Sequence, residues 1–312
     1  MYNKDSGYPP ADCLNRLNLR SPRKKIDRKS DSGERKSLTA HQFLSLVVIF
    51  FAFWAGTTAC NGNHSKNRIV LTGSSTVAPL ASEMARHFES LHPDVRIDVQ
   101  TGGSSRGIAD ARRGVADIGM VSRALSDEES DLRSYSIARD GIAIIVHKNN
   151  PITKLESEQI KSIYRGRLSN WSQVGGRDAP ITVVNKADGH STLGLFLAHF
   201  DLRSNQIKAD VVIGDNEQGI KTVAGNPNAI GYVSIGTAEY DVSHGVMIKL
   251  LPLNGVAASS AHVRDGTFPL ARPLNFVTKN APQGLALAFI EFAQSGQVHD
   301  IIRQQYFVPL AL

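Results

Sequence analysis

Apolar positions along the chain switch repeatedly between a strand rhythm and a helix rhythm, with Gly, Ser and Thr at the switch points. Arg68-Ile69-Val70-Leu71-Thr72 reads as a strand closed by Gly73-Ser74-Ser75-Thr76, after which Val77, Leu80, Ala81, Met84, Ala85 and Phe88 recur at helical spacing. The grammar then repeats: Val95 to Val99 alternates as a strand, Gly102 to Gly107 forms a turn, and Ile108 to Arg113 continues as a helix. Ala116 to Val121 is a short buried strand ending at Ser122-Arg123, and Gly141 to His147 is the strongest strand, stopped by Asn149-Asn150-Pro151. Further on, the pattern predicts a helix over 156–164, a strand over 181–184 and an apolar helix over 193–200. Strands over 229–234 and 273–277 and a helix opening at 285–292 complete it. Trp171, in a Gly-rich loop, is expected to pack rather than bind.

Alternation of this kind argues for α/β layers around a mostly parallel sheet. No long linker separates consecutive beads, so two lobes are expected from a chain that crosses between them. Lobe I takes 68–143 plus 268–312 and lobe II takes 144–267, with crossings near Ile142–His147 and Phe268–Leu274.

The composition of the 312 residues, 41% hydrophobic and 21% charged, is ordinary for a globular protein. Lys and Arg outnumber Asp and Glu by 35 to 29, but residues 1–59 hold ten of the basic and five of the acidic residues. The body is therefore near neutral, which speaks against a nucleic-acid-binding surface.

The leader, 1–59, carries a basic stretch and then the apolar run Phe43 to Ala55 before Gly56-Thr57-Thr58-Ala59-Cys60. About 13 apolar residues suit a signal-peptide core and fall short of the roughly 20 needed to span a bilayer. Small residues before Cys60 resemble a bacterial lipobox, although Thr57 stands where leucine is usual. Export, acylation of Cys60, a tether over 60–67 and a position on the outer face of the membrane or in the periplasm are expected. Cys13, the other cysteine, lies in the leader, so the mature body is expected to have neither free thiol nor disulfide. The histidines form no ligand-spaced cluster, so neither metal nor cofactor is expected.

Three turns share one composition and one position between strand and helix: Gly73-Ser74-Ser75-Thr76, Gly103-Ser104-Ser105-Arg106 and Gly189-His190-Ser191-Thr192. A helix N-terminus presents unpaired N–H groups and a positive dipole end, and hydroxyls add donors. Each turn alone is explained by ordinary N-capping. Three of them at the carboxyl ends of strands, where open α/β sheets bind ligands, lead to the expectation of an anion site.

The turns, together with Ala116 to Arg123, Asp140-Gly141-Ile142-Ala143, Asn170 to Gly176, Ala229 to Val233 and Phe268 to Leu274, resemble the phosphate-binding component of bacterial ABC phosphate transporters. That family has the two-lobed type 2 periplasmic-binding-protein fold, and the resemblance runs in order over roughly 68–308. It implies a monomer that holds inorganic phosphate in a cleft between the lobes and delivers it to the membrane subunits of an ABC permease. Carried over by position, Ser74, Ser75, Thr76, Ser104, Ser105, Ser122, Ser191 and Thr192 supply donors. Arg106 and Arg123 either contact the anion or form salt bridges elsewhere. Asp140, with Asp188 second, is the expected acceptor for the proton that phosphate keeps and sulfate lacks.

This chain departs from the family at the third turn. Lys186 replaces an arginine, His190 a serine and Ser191 a glycine, and lysine cannot make a planar bidentate contact. The changes leave other cargo open, namely sulfate, molybdate, tungstate or arsenate, as well as a role in scavenging or sensing. A hydrolase built on Ser104 or Ser105, His190 and Asp188 is the remote alternative, since no Gly-x-Ser-x-Gly elbow is present.

Overall fold

The computed structural model describes residues 67–311. The leader, Cys60 and nearly all of the tether lie outside the described residues. Nine strands are present: β1 (Arg68–Gly73), β2 (Arg96–Thr101), β3 (Ile118–Val121), β4 (Arg133–His147), β5 (Thr182–Lys186), β6 (Val211–Ile213), β7 (Ala229–Ser234), β8 (Ile248–Leu251) and β9 (Ala271–Thr278). The helices are α1 (Val77–Leu91), α2 (Ser104–Arg113), α3 (Ser157–Tyr164), α4 (Ser191–His199), α5 (Asn216–Ala224), α6 (Ile235–Ser243), α7 (Ser260–Arg264), α8 (Gly284–Gln294) and α9 (His299–Gln304).

The strands follow the order β2-β1-β3-β9-β4-β7-β5-β6, with β8 also on β4. The sheet is mixed rather than mostly parallel. β1 runs parallel to β2 and β3, and β5 to β6 and β7, but every pairing made by β4 and β9 is antiparallel. The reason is topological: β9 returns from late in the chain to insert between β3 and β4. β4 also begins eight residues earlier than its apolar run suggests. Its first four residues, Arg133 to Ser136, are polar and partly exposed, and they are held as strand by pairing with β9 and not by burial.

Two large apolar cores divide the chain. One joins residues from β1, α1, β2 and β3 with Ile137 and Ala138 of β4, Leu274 and Phe276 of β9, and Phe289 to Phe307 from the C-terminal helices. The other gathers Ile142, Ala143, Ile144 and Val146 of β4 with residues of α3, α4 and β7 and Phe268. Trp171 belongs to the second, where it is 1% exposed and its indole N–H donates to the Asn228 carbonyl at 2.9 Å. Strands β4 and β9 thus run through both lobes of the fold.

The first lobe closes tightly on α2. A Cβ at Gly107 would lie 2.7 Å from the Thr72 carbonyl oxygen and 2.8 Å from that of Met120, both backbone atoms that cannot yield. Gly107→Ala is therefore expected to lower stability by about 1–3 kcal/mol, read by urea unfolding, and to weaken ligand binding because Ser104 rides on the same helix.

Candidate functional site

Register places Asp140 of β4 directly opposite Arg272 of β9, so their side chains leave the sheet on one face. Both side chains are 1% exposed and they form the buried ion pair at the centre of the molecule. Asp140 Oδ2 accepts from Arg272 Nε at 3.0 Å and from Nη2 at 2.8 Å, while Oδ1 accepts from the Gly236 N–H at 3.2 Å.

The rest of the guanidinium reaches three hydroxyls from three different connections. Nη1 donates to Thr192 Oγ1 at 2.9 Å and Ser122 Oγ at 3.4 Å, and Nη2 donates to Thr76 Oγ1 at 3.2 Å. A hydroxyl that accepts from a guanidinium keeps its own proton to donate elsewhere. Arg272 thereby turns Thr76, Ser122 and Thr192 into aimed donors. Ser104 joins them through Ser122, whose N–H donates to Ser104 Oγ at 3.2 Å.

The third turn adds a second cation. Lys186, the last residue of β5, is 2% exposed, and its ammonium has no hydrogen-bond partner among the described residues. Ser191 Oγ, at the first position of α4, is buried and likewise unpartnered. Burial pushes Lys186 down to about 7; Asp215 opposes the shift and the Arg272 charge adds to it. His190 is also lowered, first by burial and then by Lys186, with Asp215 again opposing. The arrangement is a buried cluster of donors with surplus positive charge, since Asp140 offsets one cation and, among the described residues, no carboxylate hydrogen-bonds to the other.

The two sides of the cleft touch. The Ser105 N–H donates to the Gly189 carbonyl at 3.1 Å, linking the second and third turns. A Cβ at Gly103 would lie 2.8 Å from that same oxygen, and the positive φ of 85° suits glycine there as well. Asn216, the first residue of α5, donates to Thr76 Oγ1 at 3.1 Å.

Among the residues singled out from sequence, Thr76, Ser104, Ser122, Asp140, Lys186, Ser191 and Thr192 are all buried and converge on this cluster. Ser74 is buried beside it but is spent as a cap, its Oγ accepting from the N–H groups of Thr76 and Val77 at 3.2 and 3.3 Å. Ser75 lies at the cleft mouth with Asp215 and Asn216, and Ser105 contributes its backbone to the cleft seam. The structure commits Arg106 to Asp110 at 3.1 Å and Arg123 to Glu129 at 2.6 Å, so both serve salt bridges. Asp188 is drawn off by Ser204, whose hydroxyl donates to it at 3.3 Å. With Asp188 so placed and Ser104 Oγ on Ser122, the Ser-His-Asp relay is not assembled.

Sequence reasoning passed over Arg272 and Asn216. A signal for Arg272 was present: an arginine between Leu270 and Leu274 in an apolar strand must find a buried partner. Asn216 carried no such signal, since its segment reads as an ordinary polar turn.

The profile of the PBP superfamily domain matches residues 60–297. A phosphate-binding protein PstS of Bacillus subtilis is 26% identical over 86% of this chain and 94% of its own. A crystal structure from Clostridium perfringens, described as a phosphate ABC transporter substrate-binding protein with bound phosphate, superposes with a TM-score of 0.73 at 34% identity, covering 78% of this chain and 100% of that one. An ABC-type phosphate transport receptor of Vibrio cholerae gives a TM-score of 0.64 at 30% identity, covering 78% and 100% respectively.

Lys186→Met tests the second cation. A depressed folded-state pKa makes the lysine cost stability at and below about pH 7, a cost that fades as pH rises toward the unperturbed 10.5. Unliganded wild-type protein is therefore expected to gain urea stability from pH 7 upward relative to the Met variant. The variant should bind anion about 10- to 100-fold more weakly, the loss of one charge-assisted contact, measured by calorimetry.

Proposed function

Because the chain belongs to the PBP superfamily, with residues 60–297 matched, we propose that it is an exported, lipid-anchored binding protein that captures inorganic phosphate and delivers it to an ABC importer. The observation that carries this reading is the pair of buried, unpartnered donors, Lys186 Nζ and Ser191 Oγ, beside hydroxyls that Arg272 has already turned outward. A tetrahedral oxyanion satisfies both and supplies the negative charge the pocket lacks. The phosphate bound to the Clostridium perfringens relative supports the choice of anion.

In this reading Asp140 does not take the ligand's proton. Its carboxylate is occupied by three N–H groups, and it acts by fixing Arg272. Lys186 meets the ligand as an ammonium donor, because the anion's negative charge opposes the effect of burial and favours the protonated amine.

The lobes, 68–143 with 268–312 and 144–267, move about β4 and β9 so that the three turns meet around the ligand. Acylation of Cys60 tethers the body to the membrane, where the closed form is handed to the permease as a monomer. No chemistry on the ligand is required.

Calorimetry with phosphate and sulfate tests the cargo: phosphate is expected to bind tightly and sulfate weakly, and sulfate binding without phosphate binding refutes the proposal. Asp140→Asn separates the two roles for that carboxylate. Loss of affinity for both anions follows if it fixes Arg272, whereas retained sulfate binding with lost preference for phosphate follows if it accepts the proton.

A further inference from the structure

Behind the anion site lies a second cavity of ≈690 Å³. Successive residues of a strand face opposite sides, so while Asp140 points into the anion site, its neighbour Arg139 points into this cavity. Arg264 on α7, and His299 and Arg303 on α9, line it as well, over apolar surface that includes Phe307 and Val308. Among the described residues no Asp or Glu lines it.

The cations here are available. Arg139 and Arg264 have no ion-pair partner among the described residues, and Arg303 has only exposed Asp300 at 2.8 Å, a contact of little strength in water. The walls are fixed. Val308 and Arg139 exchange backbone hydrogen bonds of 2.8 and 2.9 Å. Phe307 packs against Gly236 so closely that a Cβ there would fall 2.5 Å from its ring. The volume lies within the roughly 300–1,000 Å³ of sites for small organic ligands and is far larger than a single tetrahedral oxyanion needs.

We propose that this cavity is a second binding site, for a small organic anion that carries at least two negative charges on an apolar body. Three guanidinium groups from separate elements meet the charges, and the apolar surface around Phe307 and Val308 takes the body. Phosphate esters and dicarboxylates share this chemistry, and the cleft's own ligand, which has no apolar body, does not.

Calorimetry on the full chain tests it with naphthyl phosphate and with phthalate, each in the presence of saturating inorganic phosphate and again in Lys186→Met. At least one probe is expected to bind with the same affinity in both settings. The double variant Arg264→Gln/Arg303→Gln should weaken that binding at least tenfold while leaving the melting temperature and the affinity for inorganic phosphate unchanged. Arg264→Gln alone, on an exposed side chain, should give a smaller loss in the same direction. Failure of both probes to bind, binding indifferent to these substitutions, or binding that disappears in Lys186→Met overturns the proposal.

Discussion

The structure depends on one ion pair buried between two crossing strands. Arg272 and Asp140 sit opposite each other on β9 and β4, the strands that also join the lobes. Desolvating two charges is costly, and removing either partner leaves the other unpaired at a cost of about 3–5 kcal/mol. The pair is therefore a poor source of stability but a strong constraint. The guanidinium must be where Asp140 holds it, and once there it orients hydroxyls from three separate turns. Placing this device on β4 and β9 has a geometric advantage, because both large apolar cores draw on those strands.

Lys186 has the opposite character. Arg272 arrives with a counter-charge and Lys186 does not; Asp215 only partly offsets its burial. A buried cation without a hydrogen-bond partner is costly, and in the proposed function the ligand supplies that partner. The near-neutral body fits this arrangement. In the proposed function, selectivity rests on a few aimed and buried groups, where each interaction is stronger than on a wet surface.

Much of this was legible in the residues, for identifiable reasons. Strands and helices with strong periodicity, such as β1, α1 and the second half of β4, were placed within a residue or two. The three Gly/Ser/Thr turns announced themselves because anion binding and helix capping use the same short polar residues. The mixed sense of the sheet was not legible, since strand direction depends on where β9 inserts, and no local pattern encodes a partner 130 residues away. For the same reason the partners of Arg106, Arg123 and Arg272 could not be read from the residues, although the apolar strand around Arg272 marked it as buried. Arg106 and Arg123 pair with nearby Asp110 and Glu129, whereas Arg272 pairs with Asp140 from a distant strand.

The insertion of β9 between β3 and β4 also sets an order of events in folding. The first lobe begins at β1 and cannot complete its sheet until the last tenth or so of the chain is available, whereas the second lobe's strands β5 to β8 lie in one continuous stretch. Contacts of such long sequence separation form slowly. A chain emerging from its N-terminus is thus held back from premature compaction, with the lobe made first finished last. Until β9 arrives, the β3 edge of the first lobe stays unpaired and open to other strands.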